Sequence, residues 1–120
     1  MRLHHVQLSC PPGGEAAARR FYGEALGLPE VAKPAALAAR GGCWFRAEGV
    51  ELHVGVEDGF VAAAKAHPAL LVDDLDAVAL RVAGLGFPVT WDDAFPPYRR
   101  CYTADGNGNR VELLGLPGSP

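Results

Sequence analysis

His67-Pro68-Ala69-Leu70-Leu71-Val72-Asp73-Asp74-Leu75-Asp76 is the stretch at which the chain begins its pattern a second time. Pro68 to Val72 reads as a short strand. Asp73-Asp74 offers carboxylates to the unpaired N–H groups of a helix start. Leu75, Val78, Ala79 and Val82 then recur at helical spacing over Leu75 to Ala83, and Gly84 and Gly86 end the helix. Phe87 to Trp91, Arg99 to Ala104 and Arg110 to Leu114 follow as strands. Asp105-Gly106-Asn107-Gly108-Asn109 joins the last two and is a strong turn signal.

The same order stands upstream. Leu3 to Cys10 reads as a strand. Glu15 to Leu26 reads as a helix with Ala18, Phe21, Tyr22, Ala25 and Leu26 on one stripe and Gly27 as its stop. Cys43 to Ala47 and Val50 to Val56 read as strands across a Glu48-Gly49 turn. The missing second strand of this unit is expected around Pro34 to Arg40, where alanines are poor strand formers. Glu57 to Ala66 is a connector with one weak helical turn, and Leu116 to Pro120 a frayed tail. The fold class is therefore α+β, a single domain over 1–120 built from two tandem βαβββ units, approximately 1–57 and 65–115.

Composition bounds the partners. The 120 residues are 49% hydrophobic and 21% charged, which suits one folded domain with its own core. A net charge of −3 argues against nucleic acid as a partner. No apolar run approaches the roughly 18 residues of a membrane span. The first ten residues alternate polar and apolar and lack a signal-peptide core. Cys10, Cys43 and Cys101 are odd in number and far apart, so reduced packing thiols in a cytoplasmic protein are expected.

The two units carry polar residues at matching places. His5 opens the first strand of unit one and Glu51 lies in its last strand. His67 and Glu112 hold the same places in unit two. The separations are 46 and 45 residues. Strand alternation turns Val6, Leu8, Leu52 and Val54 to one face and leaves His5 and Glu51 on the other. By the same rule His4 points away from His5 and reads as structural. Imidazole nitrogens with carboxylate oxygens suit Zn²⁺, Fe²⁺, Mn²⁺, Co²⁺ or Ni²⁺, and suit Ca²⁺ poorly.

Several motifs in this order resemble the vicinal oxygen chelate superfamily of glyoxalases, bleomycin-resistance proteins and extradiol dioxygenases. They are Leu3-His4-His5-Val6-Gln7-Leu8; Arg20-Phe21-Tyr22 with Leu26-Gly27-Leu28; Val50-Glu51-Leu52-His53; the His67 to Asp76 segment; and Asp105 to Glu112. Gly106 departs from the pattern by standing where the family often has proline. The resemblance covers nearly the whole chain. It implies a cup-shaped, half-open barrel with a divalent metal in the cup. The glyoxalase pattern implies His5, Glu51, His67 and Glu112 as ligands. The dioxygenase and fosfomycin-resistance patterns imply His5, His67 and Glu112, with Glu51 as a neighbour.

Chemistry follows from the ligand count. Four protein ligands leave room on an octahedral ion for one bidentate substrate, whose enolate the metal stabilises. Glu51 or Glu112 is then the candidate base of a lyase or isomerase. Three ligands form the two-His-one-carboxylate set of Fe²⁺ and O₂ chemistry. A metal-free module that sequesters a drug is the alternative. Candidate substrate contacts are Gln7 and His53, which share faces with His5 and Glu51, and Arg99 or Arg100, of which alternation sends one inward. Trp44 and Trp91 are candidate pocket walls. A small-molecule substrate and a homodimer are the expected partners; neither the substrate's identity nor whether one chain or two complete the site is readable from the residues.

Overall fold

In the computed structural model, residues 1–118 are described. The expected tail reaches Ser119 and Pro120, which lie outside them. The chain runs β1 (Val6–Cys10), α1 (Glu15–Ala18) continuing as a π-helical segment (Arg19–Ala25), β2 (Glu30–Val31), α2 (Ala35–Ala38), β3 (Cys43–Ala47) and β4 (Val50–Val56). It then repeats as β5 (Ala69–Val72), α3 (Leu75–Gly84), β6 (Thr90–Asp92), β7 (Arg99–Ala104) and β8 (Arg110–Gly115). The strands form two four-stranded sheets, ordered β1-β4-β3-β2 and β5-β8-β7-β6. In each, the first strand pairs in parallel with the last, and the other pairings are antiparallel. This is the α+β arrangement of two βαβββ units that the sequence predicts.

Five local expectations need correction. The second strand of unit one is Glu30–Val31, and the alanines expected to extend it form α2 instead. Alanine is the best helix former, so local propensity prevails there. The connector 57–66 holds turns and bends but no helical turn. The first strand starts at Val6, not Leu3, and β6 starts at Thr90, not Phe87. The upstream helix widens after Ala18: Leu26 N–H donates to Phe21 O, five residues back, at 2.9 Å. The expected stripe holds nonetheless, with Ala18, Phe21, Tyr22 and Ala25 buried.

Each sheet buries one face. Cys43, Phe45, Leu52 and Val54 lie beneath unit one's helix, and Cys101, Val111 and Leu113 beneath α3. Gly42, at φ +83°, admits the chain to β3, where an added Cβ would stand 2.2 Å from Val54 O. Asp74 caps α3 by accepting from Ala77 N–H at 3.1 Å. The three cysteines are buried free thiols, and burial pushes Cys43 and Cys101 up to about 11. Among the described residues no helix is long and apolar enough to cross a membrane.

The two units are bolted together through their helices and one turn. Phe21 meets Phe87 edge-on at 5.0 Å, Arg81 Nε–H donates to Ala25 O at 2.7 Å, and an Arg20 N–H to Leu85 O at 2.8 Å. The 105–109 turn is the second bolt. Asp105 accepts from Tyr22 O–H at 2.7 Å, from Asn109 Nδ2–H at 2.9 Å, and from the backbone N–H groups of Asn107 and Asn109 at 2.9 Å each. Asn109 also donates to Ser9 O of β1 at 2.7 Å. Burial and the adjacent Asp105 carboxylate raise the Tyr22 phenol well above its usual range, which keeps its proton in this bond. Gly106 tightens the joint: a Cβ there would stand 2.9 Å from the Ala17 Cβ.

Candidate functional site

The faces left open by the core carry the polar residues. In unit one, cross-strand register aligns Gln7 with His53, His53 with Trp44, and Glu51 with Arg46. Arg46 Nε–H donates to Glu51 Oε1 at 2.7 Å, and His53 Nε2–H to Glu51 Oε2 at 2.8 Å. His53 is held flat between two rings, Trp44 at 3.8 Å and His5 at 4.1 Å. His5 Nδ1 lies 2.9 Å from His4 Nδ1, so one imidazole donates and the other accepts. His4, His5 and Glu51 offer three ligand atoms all within 4.8 Å of one another.

His4 therefore joins the cluster from which strand alternation had excluded it. The reason is local: β1 begins at Val6, so alternation does not govern residues 4 and 5.

Arg46 and His53 hold the Glu51 carboxyl down to about 2. The sign is that of a depressed acid. Its contribution to folding is full above the ordinary carboxyl value of 4.5 and is lost as pH falls toward 2. Arg46→Ala removes the larger cause. The Glu51 side-chain carbon resonance should then titrate at higher pH in the variant, and an unchanged midpoint would contradict the clamp.

In unit two, Glu112 is buried, with its side chain 6% exposed. His67 Nε2 lies 3.0 Å from Glu112 Oε1. His67 Nδ1–H donates to Lys65 O at 2.7 Å. A neutral imidazole that donates through Nδ1 presents a lone pair at Nε2. That lone pair faces a carboxylate oxygen, so the contact calls for a cation between two acceptors, either a proton or a metal. The 3.0 Å separation is that of an ordinary N–H···O contact, and an imidazole nitrogen beside a carboxylate oxygen is the donor chemistry that suits a first-row divalent ion.

Of the arginine pair, Arg100 is the inward one. It donates to Asp92 Oδ1 at 3.0 Å and to Glu112 Oε2 at 3.3 Å. Arg99 lies on the opposite face of β7, paired with Asp76 of α3 at 3.0 Å and stacked over Trp91. The substrate contact expected of Arg99 is thus not available on this face, and Trp91 lines a surface hollow with Asp92, Arg99 and Arg100. Gln7 reaches across Gly55, where its Nε2 would stand 2.7 Å from an added Cβ.

Among the described residues, no ligand cluster combines His5 or Glu51 with His67 or Glu112. His5 and Glu51 line a largely apolar groove of about 640 Å³ with Leu3, Leu26, Leu28 and Leu70. His67 and Gln7 line another cavity, of about 440 Å³, between the two units. The sequence reasoning had not singled out Arg46, Asp92, Tyr102 or Arg110. Arg46 was within reach, because a two-residue Glu48-Gly49 turn sets it opposite Glu51.

The chain is 42% identical to a glyoxalase family protein from Bacillus anthracis, with a TM-score of 0.88 over 96% of this chain and 98% of that one. A fosfomycin resistance protein, FosX, from Listeria monocytogenes has a TM-score of 0.77 at 16% identity, over 97% and 93% of the two chains; that likeness is one of fold. TnmS3, an antibiotic binding protein from a Streptomyces species, has a TM-score of 0.69 at 25% identity, over 96% and 98%. No family model and no curated relative matches.

Proposed function

Because the chain belongs to the glyoxalase family of the vicinal oxygen chelate superfamily, we propose that it is a divalent-metal-dependent lyase or isomerase acting on a small substrate with vicinal oxygens. The observation that carries this reading is the His67–Glu112 contact, where His67 Nε2 stands 3.0 Å from a buried carboxylate oxygen while Nδ1 is engaged by the Lys65 carbonyl. His67 and Glu112 supply one half of the ligand set. His5 and Glu51 supply the other, with His4 beside them. Since no cluster of three or more ligand atoms joins the two halves among the described residues, a homodimer would complete the centre, each His5–Glu51 half facing the His67–Glu112 half of a second copy. Its reduced thiols suit a cytoplasmic setting.

When bound, the ion would act as a Lewis acid on the chelated oxygens and stabilise the enolate left by proton loss. The chain's own residues do the rest. His53, clamped between Trp44 and His5, orients Glu51 through Oε2. Glu51 is the better placed base of the two carboxylates. Its side chain is 13% exposed against 6% for Glu112, and its Arg46 partner is 54% exposed and free to swing away. That departure raises the proton affinity of Glu51 Oε1 at the moment a proton must be taken. Arg100 donates to Glu112 Oε2 at 3.3 Å and fixes the direction in which the carboxylate faces.

A second reading, binding of an apolar small molecule without turnover, is favoured by the leucine-lined groove beside His5. Ligand complementation tests the first. A His5→Ala chain and a His67→Ala chain each lack one half-site. Mixed dimers retain one intact site, so co-purified chains should recover metal that neither variant binds alone. No recovery would contradict a centre shared between copies, and absence of metal from the wild type favours the second reading.

A further inference from the structure

We propose that Arg110 is the anchor for an oxyanion, a carboxylate or phosphate-type group, carried by the substrate beside the chelated oxygens. This rests on the reading above and names the charge of its substrate. Strand β8 places Arg110, Glu112 and Leu114 on one face, and Glu112 pairs in register with Tyr102 of β7. Two guanidinium groups flank the Tyr102 ring, Arg110 at 4.1 Å and Arg100 at 5.1 Å from its centre. They are not equivalent. Arg100 is committed to Asp92 and Glu112. Arg110, half-buried, has no side-chain hydrogen bond or ion pair among the described residues; it rests on the ring, with the Asp92 carboxylate close enough to feel its charge but not bonded to it.

The charges on this face make the difference matter. Arg100 and Arg110 stand against Glu112 and Asp92, with His67 alongside. The face is balanced only if Arg110's charge is counted against carboxylates that Arg100 already binds. A divalent ion on Glu112 would leave it in surplus by two positive charges. A guanidinium desolvated on one side and held by an aromatic face keeps its fork of N–H donors ready for a bidentate oxyanion. Tyr102 is the link to the metal half-site, since its ring also meets His67 edge-on at 5.5 Å. An anion on Arg110 thus sits next to the His67–Glu112 pair.

The test follows the arginine Nε–H resonances while inorganic phosphate, and separately acetate, is added. It uses the protein as purified and again after dialysis against a chelator, so it does not depend on a bound metal; metal content is measured on the same samples. The Arg110 signal should shift and saturate, and Arg46 and Arg99, each paired to a carboxylate, should not. The tighter probe identifies the anion class. Arg110→Gln should weaken the saturable binding about tenfold or more, and Arg110→Lys less. An Arg110 signal that stays still, or drifts in parallel with Arg46 and Arg99 without saturation, overturns the proposal. Loss of metal with Arg110 binding intact counts against the metal reading alone.

Discussion

Asp105→Ala is expected to cost about 3–5 kcal/mol of folding stability, the largest effect of any single polar change on this chain. Asp105 is 4% exposed and accepts four hydrogen bonds. Truncation strands the Tyr22 hydroxyl and two backbone N–H groups in a buried joint. Each unsatisfied buried donor costs about 1–3 kcal/mol. Against a total stability of about 5–15 kcal/mol, the variant should be marginal at 37 °C. Asp105→Asn keeps the volume and one acceptor oxygen but turns a donor toward other donors, and should lose roughly half as much. Urea denaturation read by tyrosine and tryptophan fluorescence measures both. A loss under about 1 kcal/mol for the alanine variant would show that the turn is not the bolt between the units.

The second large effect falls on the metal. Glu112→Gln preserves shape and removes the charge that faces His67 Nε2. Affinity for a divalent ion should drop at least about 100-fold, more than is typical for losing a group that only supports a ligand. Activity should fall with it. The fold should survive, because Arg100 keeps its Asp92 partner at 3.0 Å and glutamine can still accept from it. Thermal denaturation without metal separates the two effects. A folded variant that still binds the ion at wild-type affinity would contradict the ligand role.

Much of this architecture was legible because local rules decide it. The Asp74 cap, the helix stripe of unit one and the Glu48-Gly49 hairpin are settled by residues a few positions apart. The duplicated His and Glu positions followed from the repeat itself: Glu51 and Glu112 lie within β4 and β8, while His5 and His67 stand just ahead of β1 and β5 instead of opening them. What escaped depends on distance. Tyr22 meets Asp105 across 83 residues and Asn109 meets Ser9 across 100, so the turn motif was visible but its bolting role was not. The short alanine helix α2 displaced an expected strand because a two-residue β2 gives no periodic signal. His4 was misplaced because alternation was applied ahead of the strand. The relation between the halves also lay beyond the repeat. Matched positions show that each unit offers a His and a Glu, but not which copies of those units meet.

The proposed function requires a metal held by His67 and Glu112 together with His5 and Glu51 of unit one. Elemental analysis of purified protein, beside Glu112→Gln and His5→Ala prepared identically, tests that most directly. The account predicts about one Ni, Zn, Mn, Co or Fe per chain in the wild type and little in either variant. A wild type that takes up no divalent ion, even after soaking in excess metal, or variants that retain it fully, would contradict it.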